Sequence, residues 1–226
     1  MSITGRGNQV DLNGMYYTLP ESRFDMNLNI VNLGMKSIEG FSFGAIKNAS
    51  GNITGNLKIT GTTAAPAVRG NVNFNKVGFN VSMLNSYFTM PQESITFNDE
   101  GIRFNDFTLV DSTGNKAIVS GSVYTKTYPD FKFGMNIRAN NFRAVNSTKA
   151  DNKLFYGKLF LDTDIKIRGD MAKPVVDATL TVNDKTEMVF VLPTSDPGVE
   201  DRKGVVEFWN SKDPKMDSIL VARQLD

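Results

Sequence analysis

The stretch NLKITGTTAAPAVRG, residues 56–70, recurs as DIKIRGDMAKPVVDA at residues 164–178. Both copies read strand, glycine, four residues, proline, strand. Glycine adopts the positive φ that ends a strand in a tight turn, and proline fixes φ near about −65° where the chain restarts extended. The predicted structural turns are formed by Gly61, Pro66, Gly169 and Pro174. The repeated unit therefore predicts two equivalent strand–turn–strand elements.

Polar and apolar residues alternate along most of the chain, which predicts strands with one wet face and one apolar face. FDMNLNI at 24–30 shows this pattern and aligns with FKFGMNI at 131–137, where Phe24 matches Phe131. Two matched blocks in the same order indicate internal repeats at about 24–82 and 131–190.

The alternation lapses at about 34–48 and about 141–153, where a short helix or an irregular loop is expected. The sequence thus predicts an all-β, antiparallel, meander-like protein with few or no helices. We expect residues 1–226 to form a single continuous β domain that is a fragment of a larger protein. Stacking of the two repeats edge to edge predicts one elongated sheet and not two globules.

The composition excludes several function classes. Of the 226 residues, 25 are Lys or Arg and 24 are Asp or Glu, so the net charge of +1 offers no field for nucleic acid. The chain has no His and no Cys, which removes imidazole and thiol chemistry, zinc and iron–sulfur sites and disulfides. No window approaches 18 consecutive apolar residues. We expect a non-enzymatic protein with no cofactor, no catalytic residues and no metal.

The sequence offers one candidate Ca²⁺ site, which has Asp184 and Asp201 as more distant carboxylates and Asp162 and Asp164 as a pair two residues apart on one strand face. Alternation puts this pair on the wet face, and a solvated pair is the favoured interpretation.

With these features, the sequence resembles the C-terminal periplasmic region of the TamB family, the translocation and assembly module, within the AsmA-like group of bacterial envelope proteins. The resemblance spans about residues 20–193 and includes the run Phe155, Tyr156 and Gly157. The stretches that carry it are GNITGNLKITGTTAAPAVRGNVNF (51–74), FRAVNSTKADNKLFYGKLFLDTDIKIRGDMAKPVVDATLTV (142–182) and TEMVFVLP (186–193).

The resemblance implies a curved half-pipe sheet, or β-taco, with an apolar concave face. It further implies a long periplasmic protein that is anchored in the inner membrane by a segment outside this chain and engages an outer-membrane barrel partner. Such proteins are implicated in outer-membrane protein assembly and in phospholipid movement between the membranes. The expected cargo is either phospholipid acyl chains or the β-strands of outer-membrane substrates.

The residues themselves support a groove, because a sheet that is apolar on one face must bury that face and helix candidates are too few to cover it. Curling of the sheet leaves a lumen lined by apolar side chains. The predicted lining is Leu57, Ile59, Val72, Phe74, Phe79, Phe97, Ile102, Phe104, Phe107, Leu109, Phe133, Met135, Ile137, Leu159, Leu161, Ile165, Ile167, Leu180, Val182 and Phe190.

The sequence also allows three alternatives to an open apolar groove. The same alternation is typical of a closed β-sandwich or barrel core without a ligand. A transmembrane barrel would turn its apolar face outward and carry aromatic girdles, for which one Trp and six Tyr are few. An adhesin or surface-binding β module would place its function on loops, which are short here.

Overall fold

The structure of the chain is a computed structural model that describes residues 1–126 and 131–192. These residues form twelve strands and one short helix. The elements are β1 (Ser2–Gly5), β2 (Asn8–Tyr17), β3 (Arg23–Gly34), α1 (Met35–Phe41), β4 (Ile46–Thr62), β5 (Pro66–Val81), β6 (Ser86–Asn98), β7 (Gly101–Asp111), β8 (Lys116–Tyr124), β9 (Lys132–Ser147), β10 (Phe155–Asp170), β11 (Pro174–Val182) and β12 (Glu187–Phe190).

All twelve strands belong to one antiparallel sheet. Strands β1 to β11 follow one another in chain order, and β12 pairs with β10. The sheet is curved and does not close into a barrel. This confirms the predicted all-β fold and differs from the closed sandwich or barrel that alternation alone allows. Because each strand pairs with its sequence neighbour, short turns suffice to connect them.

The concave face of the sheet is apolar, as contacts between non-adjacent strands show. The ring of Phe74 in β5 meets that of Phe107 in β7 edge-on at 5.4 Å, and Phe88 in β6 stacks on Phe142 in β9 at 5.5 Å. Neighbouring strands lie about 4.8 Å apart, so a flat sheet would separate these pairs by about 10 to 14 Å. The rings meet because they lie on the inside of the curve.

Bulges inside long strands keep apolar residues on the concave face. Asp106 has a φ of 50° and lies between Phe104 and Phe107, where the register between β7 and β8 shifts. Residues three apart in a regular strand point to opposite faces, yet these two rings lie 5.9 Å apart. Asn141, with a φ of 49°, acts in the same way between Ala139 and Phe142.

The two predicted breaks in alternation have different outcomes. In the first, about 34–48, α1 forms and packs Met35 and Ile38 against the core, after which β4 begins. In the second, about 141–153, β9 continues to Ser147, so the expectation of a helix or loop there was wrong for its first half. The bulge at Asn141 breaks the alternation without ending the strand. No helix in residues 1–126 and 131–192 combines the length and the hydropathy needed for a membrane span.

The two repeated turns have the same geometry. Gly61 and Gly169 have φ values of +87° and +89°, and a Cβ on either would lie 2.5 Å from the carbonyl oxygen of the residue four positions later. Each glycine is paired with the proline that follows it. Glycine is therefore required at both places, since an L side chain is strained there and lacks space.

Strand pairing shifts the alignment of the repeats by two residues. Phe24 opposes Gly61 in the first copy, whereas Phe133 opposes Gly169 in the second. By strand register, the counterpart of Phe24 is thus Phe133, whereas the sequence alignment pairs Phe24 with Phe131. A shift of two residues keeps every side chain on the same face, which is why the apolar pattern matched in either alignment. The single domain over 1–226 stays a prediction, because residues 193–226 lie outside the described part.

Candidate functional site: the apolar concave face

The concave face is organised in rows that run across the strands. Directly opposed residues of antiparallel strands point to the same face, so the pairing can be followed from strand to strand. The first row runs through Leu28, Leu57, Gly70, Phe97, Ile102, Val123, Phe133 and Gly169. The second row runs through Ile30, Gly55, Val72, Ile95, Phe104, Gly121, Met135, Ile167 and Val176.

Both rows consist of apolar side chains and glycines and contain no charged residue. At about 4.8 Å per strand, a row that crosses eight or nine strands is about 35 Å long. Two shorter rows lie beside them on the same face. They run through Phe107, Val119, Ile137, Ile165 and Ala178, and through Leu109, Ala117, Ala139, Thr163 and Leu180.

The structure therefore brings most of the predicted lining residues to one face. Ile59 lies two residues from Leu57, and Leu161 opposes Phe142 on one side and Val182 on the other. Phe74 and Phe79 pack against the buried core. Leu159 lies beyond a bulge in β10 and opposes Val145. Phe190, in β12, opposes Phe155 of β10. Neither Leu159 nor Phe190 therefore belongs to a row.

One half of the concave face is filled by the protein's own side chains. Met35 of α1, Ala49, Val77, Met90 and Phe107 are buried together. Among the predicted lining residues, Phe74, Phe79, Phe104 and Leu109 pack against this cluster. This half, on the side of α1, is a conventional hydrophobic core, and no pattern in the sequence predicted the division of the face into two halves.

The other half of the concave face is open. Leu57, Phe97, Ile102 and Phe133 of the first row are only half-buried. Exposure increases towards β11, where Leu180 is 60% and Val182 is 61% exposed. The first row and the ends of the other rows in β11 thus form an apolar surface that the described residues leave uncovered.

The edge of β11 is also unpaired in the described part of the chain, because β11 hydrogen-bonds only with β10. Every residue of β11 is exposed. A strand edge with free N–H and C=O groups can accept a further strand.

The convex face is polar and carries ion pairs between neighbouring strands. Lys58 pairs with Asp25, and Arg168 pairs with Asp177. Exposed pairs of this kind add about 0 to 1 kcal/mol each to stability. These charged side chains lie on the opposite face of the sheet from the apolar rows.

Asp162 and Asp164 each have protein partners, and Asp201 lies outside the described residues. Asp164 lies 3.5 Å from Arg138. Asp162 accepts hydrogen bonds from the backbone N–H of Asn141 at 2.6 Å and from Asn183 Nδ2 at 3.0 Å, and these bonds lower the pKa of its carboxyl group. Within residues 1–126 and 131–192, no group of three or more acidic side chains is arranged to hold a metal ion.

Asp111 is a structural carboxylate that sequence reasoning missed. It is 4% exposed and accepts hydrogen bonds from the backbone N–H groups of Arg143 at 2.6 Å, Thr113 at 2.7 Å and Asn115 at 3.0 Å. Burial opposes ionisation, but these bonds outweigh it and hold the pKa of the carboxyl group below its usual value. Asp111 thereby links β9 to the end of β7. The turn residues 112–115 were the only sequence signal.

An open, curved, single-layer antiparallel sheet with an apolar concave face defines a groove-type β scaffold. The profile of the TamB C-terminal domain family matches residues 105–224, more than half of the chain. The chain belongs to the TamB C-terminal domain family. The match includes residues 194–224, to which the resemblance in the sequence extended little, and leaves out the first repeat. No curated protein and no solved structure matches this chain.

Membership gives the function in general terms. The family is a non-enzymatic module of transport and assembly, it is associated with the cell envelope, and it works with outer-membrane partners. This chain is accordingly a TamB-like protein of envelope transport and assembly.

Proposed function

We propose that this chain is a segment of a periplasmic bridge whose concave face carries phospholipid acyl chains between the inner and outer membranes. The observation that supports this most directly is the continuity of the first row, which lies in the open half and runs from β3 to β10 through apolar side chains and glycines without a charged residue. The predicted lining residues of the open half are the proposed contacts.

Free energy favours such a cargo. Each buried methylene contributes about 0.8 kcal/mol, so an acyl chain of roughly 16 carbons gains on the order of 12 kcal/mol if it is fully removed from water. The face needs no polar contact for this gain. The headgroup stays in water at the open side of the sheet.

The repetition of the rows favours movement over storage. Each strand presents a similar apolar surface about 4.8 Å from the last, so a tail that shifts by one strand exchanges one set of contacts for an equivalent set. The filled half confines the tail to the open half, because the core cluster leaves no room beside α1.

Assembly of outer-membrane proteins is the second candidate. It is favoured by the unpaired edge of β11, which is exposed along its whole length. An unfolded β-strand could add to this edge by main-chain hydrogen bonds while its apolar side chains continue the rows. The same scaffold then serves an acyl chain along its face or a strand along its edge.

Photo-crosslinking tests the lipid proposal. A photoreactive phenylalanine analogue is placed at Ile102 or Phe133, with controls at Arg103 and Lys132, the exposed neighbours in the same strands. After irradiation in a bacterial host, we expect phospholipid adducts by mass spectrometry at the first two positions and not at the controls. Equal adducts at all four positions, or adducts to polypeptide alone at Ile102 and Phe133, would contradict the proposal.

A further inference from the structure

The sheet end that carries α1 exposes four large apolar side chains. Phe41 is 82%, Phe43 101%, Met83 59% and Leu154 64% exposed. Single exposed apolar residues are common on protein surfaces, but several on one small surface indicate an interaction site. We call these four residues the apolar tip.

Contacts between three segments place the tip residues on one end of the sheet. The N–H of Ser82 donates to the carbonyl oxygen of Ala45 at 3.0 Å, which joins the turn after α1 to the turn that carries Met83. Asn152 Nδ2 donates to the carbonyl oxygen of Met83 at 3.5 Å, and this joins the loop that ends at Leu154. The tip is therefore built from three turns held together by hydrogen bonds.

The turn between the two phenylalanines is fixed in an unusual conformation. Phe43 has a φ of 51°, a left-handed conformation that bulky residues rarely adopt. The N–H of Ser42 donates to the carbonyl oxygen of Glu39 at 3.1 Å, and the N–H of Ala45 donates to that of Ser42 at 3.0 Å. These bonds hold the turn while Phe43 stays fully exposed. Backbone strain of this kind concentrates at functional positions.

The charges around the tip are predominantly positive. The three segments carry Lys36, Glu39, Lys47, Lys149, Asp151 and Lys153. Both acids are paired, Glu39 with Lys36 at 3.0 Å and Asp151 with Lys47 at 3.7 Å. Lys149 and Lys153 are exposed and make no ion pair in the described residues. The tip thus combines exposed aromatic and aliphatic side chains with unpaired ammonium groups.

We propose that the apolar tip docks on the surface of an anionic phospholipid bilayer. Phenylalanine, leucine and methionine side chains enter the interface between headgroups and acyl chains, while Lys149 and Lys153 attract lipid phosphates. The rows of the concave face run across the strands, whereas the tip lies at strand ends, so docking does not use the groove. The inference goes beyond the proposed function and stands without a lipid in the groove.

Vesicle flotation tests the docking surface. The whole chain is mixed with phosphatidylcholine vesicles, with or without phosphatidylglycerol, and the bound fraction is measured. The first variant is Phe41→Ser with Phe43→Ser, and the second is Lys149→Gln with Lys153→Gln. The matched control is Met15→Ser with Met171→Ser, which removes two exposed apolar residues that lie outside the tip and outside the rows of the concave face. Circular dichroism verifies the fold of each.

We expect binding to the anionic vesicles, a loss of more than tenfold in the phenylalanine variant and wild-type binding in the control. Each lysine near an anionic surface is worth about fivefold in affinity, so the lysine variant should lose about 25-fold on anionic vesicles. Undiminished binding by the phenylalanine variant would overturn the proposal. Loss of binding in the control with Met15→Ser and Met171→Ser, and not in the phenylalanine variant, would also overturn it.

Discussion

Asp111 shows how one residue holds the architecture in place. Its carboxylate satisfies backbone N–H groups of its own turn and of Arg143 in β9. Asp111→Asn removes the charge and leaves part of this set unpaired, which costs about 1 to 3 kcal/mol in the free energy of unfolding. Urea denaturation measures the loss. Asp106→Asn, at an exposed position in the same strand, is the control and should be close to neutral.

The pH dependence of this effect follows from the lowered pKa of Asp111. A carboxyl group whose pKa is depressed by folding stabilises the native state fully above the unfolded pKa of about 3.9 and loses that contribution as the pH falls through the folded pKa. The difference in stability between wild type and Asp111→Asn should be constant from pH 7 to about pH 5 and shrink below about pH 4. Thermal unfolding across this range checks it. A difference that grows on acidification would contradict the stated role.

The glycines in the turns between strands differ in how much space surrounds them. Gly61→Ala combines a positive φ with a Cβ 2.5 Å from a backbone oxygen, whereas Gly114 has a φ of +91° and open space. The unfavourable φ alone costs about 1 to 2 kcal/mol. We expect Gly114→Ala to lose that amount, and Gly61→Ala to lose more because the backbone must also move. Equal losses of unfolding free energy in chemical denaturation would mean that the backbone around Gly61 makes room for the added Cβ at no cost.

The strands were predictable from the sequence, whereas the bulges within them were not. Period-two alternation correctly predicts the strands and the shared face of residues such as Leu57 and Phe97, because side-chain direction follows from local geometry. The bulges at Asp106 and Asn141 were not predicted. Each interrupts the period-two pattern, but the pattern alone does not show whether the strand ends there or continues through a bulge.

At the scale of the whole molecule, the partition of the concave face decides what a substitution does. The apolar face was predictable, but its filled and open halves depend on the bend of the sheet and on α1. Leu161→Arg and Phe104→Arg are the substitutions that the sequence suggests for testing a groove. Phe104 packs against the buried core, so the tolerance that an open lumen would give does not apply there.

We expect Phe104→Arg to destabilise the fold by about 3 to 5 kcal/mol, since it places an unpaired charge beside the core. Ile102→Arg, one row away in the open half, should fold with a much smaller loss because the guanidinium reaches water. Solubility and melting temperature distinguish the two. Equal losses of stability in both variants would contradict the assignment of Ile102 to a solvent-accessible half of the concave face.

Lipid occupancy is the most direct test of the central claim, that the concave face holds acyl chains. The chain is purified from a bacterial host without detergent, and native mass spectrometry with lipid extraction measures bound phospholipid. Ile102→Arg is compared with Thr96→Arg, which lies on the opposite face of the sheet. We predict phospholipid at a reproducible ratio in wild type and in Thr96→Arg, and its loss in folded Ile102→Arg. A lipid-free wild-type mass, or undiminished lipid in Ile102→Arg, would contradict the claim.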